Sequence, residues 1–394
     1  MALSIGVPRE TEPGETRVAL VPSVADRLLA TVDDLEIRVE ESAGHDAYHE
    51  DADYEEAGCS VVGREAALGA DLVTKVAPPS DEEIGALDEG QVLVGFLNPL
   101  GRPDTARALA DRGVTTLAME LVPRISRAQK LDALSAMSSI GGYRAVIQAA
   151  ERLPKFFPLL TTAAGTVRPA DVLVLGAGVA GLQAIATAKR LGARVSGYDI
   201  REPTREEVES LGADFVELEI DIDADQDESG YAEEVEKKKQ ERQPELLKPH
   251  IAEADVVVST ALIPGQPAPL LVNENAVQAM DPGSVIVDLA APNGGNCAVT
   301  KTGEEVVEHN VQILGPTNLP AEMPVHASEL YAKTVVAMIE EGLEAGNFAP
   351  DYDDEIFAES CLTREGEVQN ERVRGLLETD EAQTDEAPAP EEAG

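Results

Sequence analysis

One segment constrains this chain more than any other: Val172 to Asp199, VLVLGAGVAGLQAIATAKRLGARVSGYD, where an apolar strand runs into a glycine-rich turn and then a helix. Gly176, Gly178 and Gly181 form G-x-G-x-x-G in that strand-to-helix setting, which turns a weak pattern into a specific one. Gly176 permits the tight turn, Gly178 lets backbone approach a pyrophosphate, and Gly181 lets the helix pack on the strand. The pyrophosphate then sits on unpaired N–H groups at the positive end of the helix. Asp199 ends the second strand, where an acid accepts hydrogen bonds from adenosine ribose hydroxyls and a 2′-phosphate would meet a carboxylate. NAD(H) is therefore favoured over NADP(H), although the nearby Arg201 softens the exclusion.

The chain has 394 residues, more than one hydrophobic core usually organises, so two domains are expected. Strands separated by helix-length segments predict a parallel α/β sheet in the first third: LSIGVP from Leu3, LEIRVE from Leu35, ADLVTKV from Ala70, QVLVGFLNP from Gln91 and VTTLAME from Val114. A long helix is expected from about Ser126 to Leu153, ended by PKFFP. A second sheet follows: DVLVLGAG from Asp171, ARVSGYD from Ala193, ADVVVST from Ala254, GSVIVDLAA from Gly283 and VQILGP from Val311. An insertion at about Glu219 to Pro244, acid-rich then Lys-rich, reads as a functional loop or a disordered one. A helical pattern from His326 to about Gly342 is expected to return the chain to the first domain. The fold class is thus α/β with two doubly wound, Rossmann-like parallel-sheet domains. Residues 1–133 plus 325–377 form the N-terminal-type domain, 134–324 the NAD(H)-binding domain, and 378–394 a disordered acidic tail.

Composition narrows the partners. Aromatics make up 3% of the chain, with no Trp, so the cores must be built from Val, Leu, Ile and Ala. A net charge of -43 excludes a basic footprint and with it nucleic acid. Such charge self-repels unless salt screens it, which points to a high-salt cytoplasm, with ordinary acidic solubility as the alternative. Cys59, Cys297 and Cys361 form no CxxC pair and are odd in number, which suits a reducing compartment and inert thiols. The opening MALSIGVPRETEPGE does not read as a secretion signal, and the apolar run Val172–Ala188 is too glycine-interrupted and polar for a membrane span. The expectation is a soluble intracellular protein. His45 and His49 have no third metal ligand beside them and read as a solvent-facing pair.

Several long stretches, PRETEPGETRVALVP from Pro8, MELVPRISRAQKLDALS from Met119, GYRAV from Gly142, TAAGTV from Thr162, SGYAEE from Ser229, STALIPGQPAP from Ser259 and GSVIVDLAAPNGGNC from Gly283, join the fingerprint in a wider pattern. From Ile5 to about Thr363 the sequence resembles the domain I (alpha) component of the proton-translocating NAD(P) transhydrogenases. The split form of that enzyme divides the alpha polypeptide, and this chain looks like its soluble first piece. The resemblance implies NAD(H) bound in the cleft between the two domains and NADP(H) on a partner subunit. It further implies membrane-spanning subunits that couple hydride transfer to proton translocation, a homodimer, and a cytoplasmic position peripheral to the membrane; Si or Re/Si stereospecificity stays open. It carries nicotinamide-end roles onto Arg124, Gln129, Asp132 and Ser135: Asp132 and Ser135 on the carboxamide, Arg124 holding its oxygen, Gln129 reaching toward the second nucleotide. The residues alone are equally compatible with a solvated helix face. Val179, Ala180 and Gly181 would contact the pyrophosphate and Asp199 with Ile200 flank the adenosine. Ser229, Gly230 and Tyr231 would belong to a mobile loop with Gln243 at its far end, and Thr260, Ala261 and Leu262 would line the nucleotide cleft.

Alanine dehydrogenases share the pattern, and an NAD-dependent amino acid dehydrogenase is the main alternative, with a non-catalytic nucleotide sensor behind it. Arg17 and Lys75 match positions that hold substrate carboxylate in the alanine enzymes. Those enzymes, however, have a His where this chain has Asn98 and an Asp where it has Pro292. Neither Asn nor Pro can exchange the proton that amino acid oxidation requires. Two further departures, Gln266 in place of the family's usual Lys and Arg168 beside Pro169, carry no such consequence.

Overall fold

The computed structural model describes residues 3–218, 231–263 and 265–385, of which 231–241 and 380–385 are described as helical backbone only. The chain divides into two compact units: one runs to Met137 and resumes at Ala321, and the other is Ser138–Pro320. The first boundary falls inside the helix Ala133–Arg152.

The second unit is built on a seven-stranded sheet in the order Asp214–Phe215, Arg194–Tyr198, Asp171–Leu175, Val256–Ser259, Val285–Asp288, Val311–Leu314, Glu305–Glu308. All pairs are parallel except the last. Val172, Val174, Val256, Val258, Val285 and Val287 face one core while Leu173, Leu175, Val257, Ile286 and Ile313 face the other. This period-two division, apolar on both faces, is what makes the strands read as near-continuous apolar runs. The chain winds from Asp171–Leu175 outward in one direction and resumes at Val256–Ser259 in the other, so the order reverses between these two strands. Ligands of open α/β sheets bind outside the carboxyl ends of the strands at such a reversal.

The first unit holds an eight-stranded sheet in the order Glu367–Val368, Cys361–Arg364, Thr115–Ala118, Val92–Gly95, Leu72–Thr74, Leu3–Val7, Leu35–Glu40, Ser60–Val62. It is parallel apart from Cys361–Arg364, which runs antiparallel to both of its neighbours. Both sheets therefore contain every strand foreseen from the sequence; the first adds Ser60–Val62, Cys361–Arg364 and Glu367–Val368, and the second adds Asp214–Phe215 and the antiparallel edge strand Glu305–Glu308.

Three expectations need correction. The long helix from Ser126 is interrupted: Ser126–Leu131 is a 3-10 helix, Asp132 leaves helical geometry at φ -74, ψ 82, and the α-helix starts at Ala133. Asp132 makes the break by capping, since its Oδ1 accepts the Ser135 N–H at 2.8 Å and its Oδ2 the Ser135 hydroxyl at 2.6 Å. The insertion is helical from Tyr231, in the helix Tyr231–Ala252, despite Pro244 and Pro249 inside it. Its Glu, Lys and Gln are strong helix formers. The acidic end, expected to be disordered from Glu378, is helical through Asp385, where the helix Glu371–Asp385 is anchored by Val373 and Leu377 in the first unit's core. Ser229 and Gly230 lie outside the described residues.

Candidate functional site

At the strand reversal of the second unit, the fingerprint has the geometry its glycines predict. Gly176 takes φ +96, and a Cβ there would meet Thr260 Oγ1 at 2.7 Å and the Ala261 nitrogen at 3.0 Å. A Cβ on Gly181 would collide with the carbonyl oxygen of Gly176, whereas around Gly178 nothing lies within 4 Å. The crowded pair packs helix on strand, and the open one leaves backbone exposed to a ligand. Gly178 is the N-cap of the helix Val179–Arg190 and supplies no side-chain cap. The first intrahelical bond is from Leu182 N–H to the Gly178 carbonyl at 2.8 Å, so the N–H groups of Val179, Ala180 and Gly181 have no helical acceptor. That arrangement suits a pyrophosphate.

Asp199 follows Arg194–Tyr198 at the same sheet edge. Its Oδ2 accepts the Ala177 N–H at 2.7 Å, and its Oδ1 accepts the Arg201 N–H at 2.9 Å. Burial works against its charge, but the hydrogen bonds from the Arg201 side chain and from the two backbone N–H groups hold the carboxyl below its ordinary range. Val179, Ile200 and Leu262, each beyond the carboxyl end of a strand, are exposed apolar side chains of the kind that cover an adenine ring. Gln243, on the helix Tyr231–Ala252, is buried with its Nε2 unpaired. Thus the residues present fit a dinucleotide: free helix N–H groups, an open glycine and a ribose-type acid on one sheet edge.

Sequence reasoning missed two contributors. Gly142 lies where a Cβ would collide with the carbonyl oxygen of Ala180, so it lets the helix Ala133–Arg152 press on the start of the fingerprint helix. Asp288, fully buried, accepts from Ser259 Oγ at 2.9 Å, Thr300 Oγ1 at 2.8 Å and Cys297 N at 3.0 Å, tying together the loops behind the site. The motif GYRAV signalled the first; nothing local signalled the second.

In the first unit, the segment Arg124 to Ser135 is fastened by buried apolar side chains and ion pairs. Ala128 and Leu131 are buried, Arg127 pairs with Asp354 at 2.6 Å and Glu341 at 3.2 Å, and Lys130 pairs with Glu341 at 2.8 Å. Arg124 and Gln129 are left exposed, while Asp132 and Ser135 are half-buried and bound to each other.

The carboxyl edge of this first sheet also gathers buried charge. Arg17 donates to Glu15 through Nε at 2.7 Å and Nη2 at 2.5 Å, and Lys75 Nζ lies 3.0 Å from Glu10 and 2.8 Å from Glu83. The two cations that resemble a substrate-carboxylate pair are thus matched by acids of this chain. Asn98, exposed, sits at φ +48 in a turn, and its N–H and that of Leu97 donate to Glu120 Oε1 at 2.5 and 2.8 Å. The Glu120 Oε2 is buried without a partner, and burial pushes this carboxyl up to about 7. In the second unit, Pro292 lies in the 3-10 helix Ala291–Asn293. His45 is exposed, as foreseen, but the Nε2 of His49 is buried. All three cysteines are buried, and burial pushes their thiols up to about 11, which disfavours the reactive thiolate.

The chain matches the family described as alanine dehydrogenase/PNT, N-terminal domain, over residues 6–141 and its C-terminal domain over residues 145–371. It is 41% identical to the first part of NAD(P) transhydrogenase subunit alpha of Rhodospirillum rubrum over 383 residues, 95% of this chain and 99% of that protein. Against alanine dehydrogenase of Mycobacterium tuberculosis the identity is 30%, over 94% of this chain and 96% of the other. The crystal structure of transhydrogenase from Sinorhizobium meliloti superposes with a TM-score of 0.81 at 38% identity, covering 93% of this chain and 99% of that one.

Proposed function

This chain belongs to the alanine dehydrogenase/PNT family, and from that premise we propose that it is the NAD(H)-binding alpha subunit of a proton-translocating NAD(P) transhydrogenase. The observation that carries this over the dehydrogenase reading is the absence of a proton-exchanging pair. Asn98 and Pro292 stand where the alanine enzymes place His and Asp, and Arg17 and Lys75 are occupied by Glu15, Glu10 and Glu83. A transhydrogenase needs no acid or base at the reacting carbon, because a hydride passes from ring to ring; catalysis reduces to alignment.

Bound NADH supplies the hydride. The N–H groups of Val179, Ala180 and Gly181 hold the pyrophosphate, Asp199 accepts from the ribose with Arg201 swung aside, and Ile200, Thr260, Ala261 and Leu262 flank the adenosine side. Gln243 offers its unpaired amide to the nucleotide, and the loop roles expected for Gly230 and Tyr231 fall outside the described side chains. On the nicotinamide end, Asp132 and Ser135 exchange their mutual hydrogen bond for the carboxamide, Arg124 secures its oxygen and Gln129 faces the second nucleotide. NADP(H) is carried by a partner subunit, and proton movement by membrane-spanning subunits, to which this chain attaches from the cytoplasmic side. Among the described residues no helix is long and apolar enough to cross a membrane. A homodimer is supported by the hairpin Leu160–Thr162 with Gly165–Val167, a two-stranded ribbon with exposed Leu159 and Val167 that is marginal alone.

The experiment is a reconstitution. Alone, the chain binds NADH and oxidises or reduces no amino or keto acid; mixed with its NADP(H)-binding partner subunit, it gains hydride transfer. Pyruvate-dependent NADH oxidation by the chain alone overturns the proposal in favour of a dehydrogenase.

A further inference from the structure

The stretch Gly294–Gly295–Asn296–Cys297 follows the strand Val285–Asp288 and hydrogen-bonds the segment that leaves the strand Val256–Ser259. Past Ser259 the chain leaves its strand, and the backbone of Ala261 has no strand to pair with. Asn296 takes that place. Its Oδ1 accepts the Ala261 N–H at 3.1 Å, and its Nδ2 donates to the Ala261 carbonyl at 2.9 Å and to the Pro269 carbonyl at 2.8 Å. The residue is 0% exposed, and its own carbonyl accepts the N–H groups of Leu271 and Val272, both at 2.9 Å. One buried amide thus gives Ala261 the two-point pairing of a neighbouring strand.

The residues on either side reinforce the clamp. Asp288 joins Ser259 Oγ to the Cys297 N–H, so positions 259 and 261 are both tied to the pair 296–297. Between them, Thr260 N–H donates to the Leu175 carbonyl at 2.7 Å and Thr260 Oγ1 to the Gly176 carbonyl at 3.0 Å, which carries the bracing into the fingerprint turn. Gly294 and Gly295, at φ +98 and +80, swing the chain so that Asn296 arrives in register, and a Cβ on Gly295 would meet Asp288 Oδ2 at 2.8 Å. The next residue, Leu262, is 50% exposed. The Ala261 backbone is thus fixed by buried hydrogen bonds beside an apolar side chain open to solvent.

We propose that Asn296 is a positioning residue for nucleotide binding, holding Thr260, Ala261 and Leu262 in the conformation that walls the cofactor cleft; this rests on the reading of those three residues as cleft-lining. The side chain must carry a donor and an acceptor at this reach. Asp lacks the donor, Leu lacks both, and Gln places the same groups a methylene further out.

The test is NADH titration of the full chain as wild type, Asn296→Asp, Asn296→Leu and Leu262→Asp, with a melting temperature for each and hydrogen exchange at the Ala261 amide. Both Asn296 variants are expected to bind NADH at least about tenfold more weakly at a temperature where they are fully folded, as loss of one or two well-placed hydrogen bonds implies. In Asn296→Leu the Ala261 amide exchanges faster, and Leu262→Asp also weakens NADH binding. A purely structural residue instead lowers the melting temperature and leaves the affinity of the folded protein unchanged. That result, with Leu262→Asp still impaired, overturns the positioning role while the cleft reading stands. Normal binding by Leu262→Asp removes the cleft reading and the proposal with it. Failure of both Asn296 variants to fold assigns Asn296 to folding and also overturns the proposal.

Discussion

The guanidinium of Arg201 closes on the carboxylate of Asp199 at both ends, with Nε 2.9 Å from Oδ1 and Nη2 3.0 Å from Oδ2. The acid proposed for the ribose is therefore paired with its neighbour in the free chain. Arg201 is 59% exposed, so the pair is worth only about 0.2–1 kcal/mol and is readily opened. Arg201→Ala is expected to tighten NADH binding by up to about fivefold and to weaken NADPH, which loses a cation for its 2′-phosphate. Asp199→Asn is expected to narrow the preference for NADH over NADPH by about tenfold or more, the worth of a repelled polar group. Parallel titrations of both nucleotides check both; unchanged ratios exclude this pair from cofactor choice.

Asp132 and Ser135 satisfy each other at 2.6 Å across the first turn of the helix Ala133–Arg152. Asp132→Asn keeps an N-cap acceptor, so unfolding free energy should change by less than about 1 kcal/mol. Hydride transfer with the partner subunit should nevertheless fall far more than NADH affinity, and Gln129→Ala should behave alike, because alignment is lost and not holding. Equal losses of rate and affinity count against the assignment.

Glu120 titrates near neutrality in the folded chain. Its carboxyl is pushed from 4.5 to about 7 by burial, so the stability tied to its proton is complete below about 4.5 and is lost as pH rises through about 7. Glu120→Gln keeps an oxygen for the N–H groups of Leu97 and Asn98 and cannot ionise. Denaturant unfolding at pH 5 and pH 8 should show the variant gaining on the wild type by up to about 3 kcal/mol at the higher pH. Parallel profiles for the two proteins would place the Glu120 carboxyl in its ordinary range.

Net charge sets the salt response. At -43 the surface repels itself, and the screening length grows from about 3 Å at 1 M salt to about 30 Å at 0.01 M. The melting temperature is expected to fall steadily on dialysis from molar to millimolar KCl. A flat response shows that the acidic surface is ordinary solubility and not an adaptation to salt.

Much of the architecture was legible because its signals are local. Strands such as Val256–Ser259 and Val285–Asp288 are buried on both faces, so they appear as unbroken apolar runs, and the fingerprint glycines answer to steric demands within one strand, turn and helix. The edge strands were not legible. Glu305–Glu308 and Glu367–Val368 are largely exposed and half glutamate, and pairing with a neighbour, not their own pattern, makes them strands. The break at Asp132 is a middle case: its capping partner is three residues away, but a helical period ran through it from both sides.

Legible in the sequence alone were the dinucleotide fingerprint, through Gly176, Gly178, Gly181 and Asp199, and Asn98 and Pro292 at the positions where the resemblance to alanine dehydrogenases implies His and Asp. Only the tertiary structure decided which groups are already occupied. That Arg201 covers Asp199, that Glu10 and Glu83 enclose Lys75, and that Asn296 holds Ala261 across 35 positions of chain are facts of side-chain geometry. Periodicity and composition carry no record of them, because a hydrogen bond is specified by the direction and distance of two atoms that folding alone brings together.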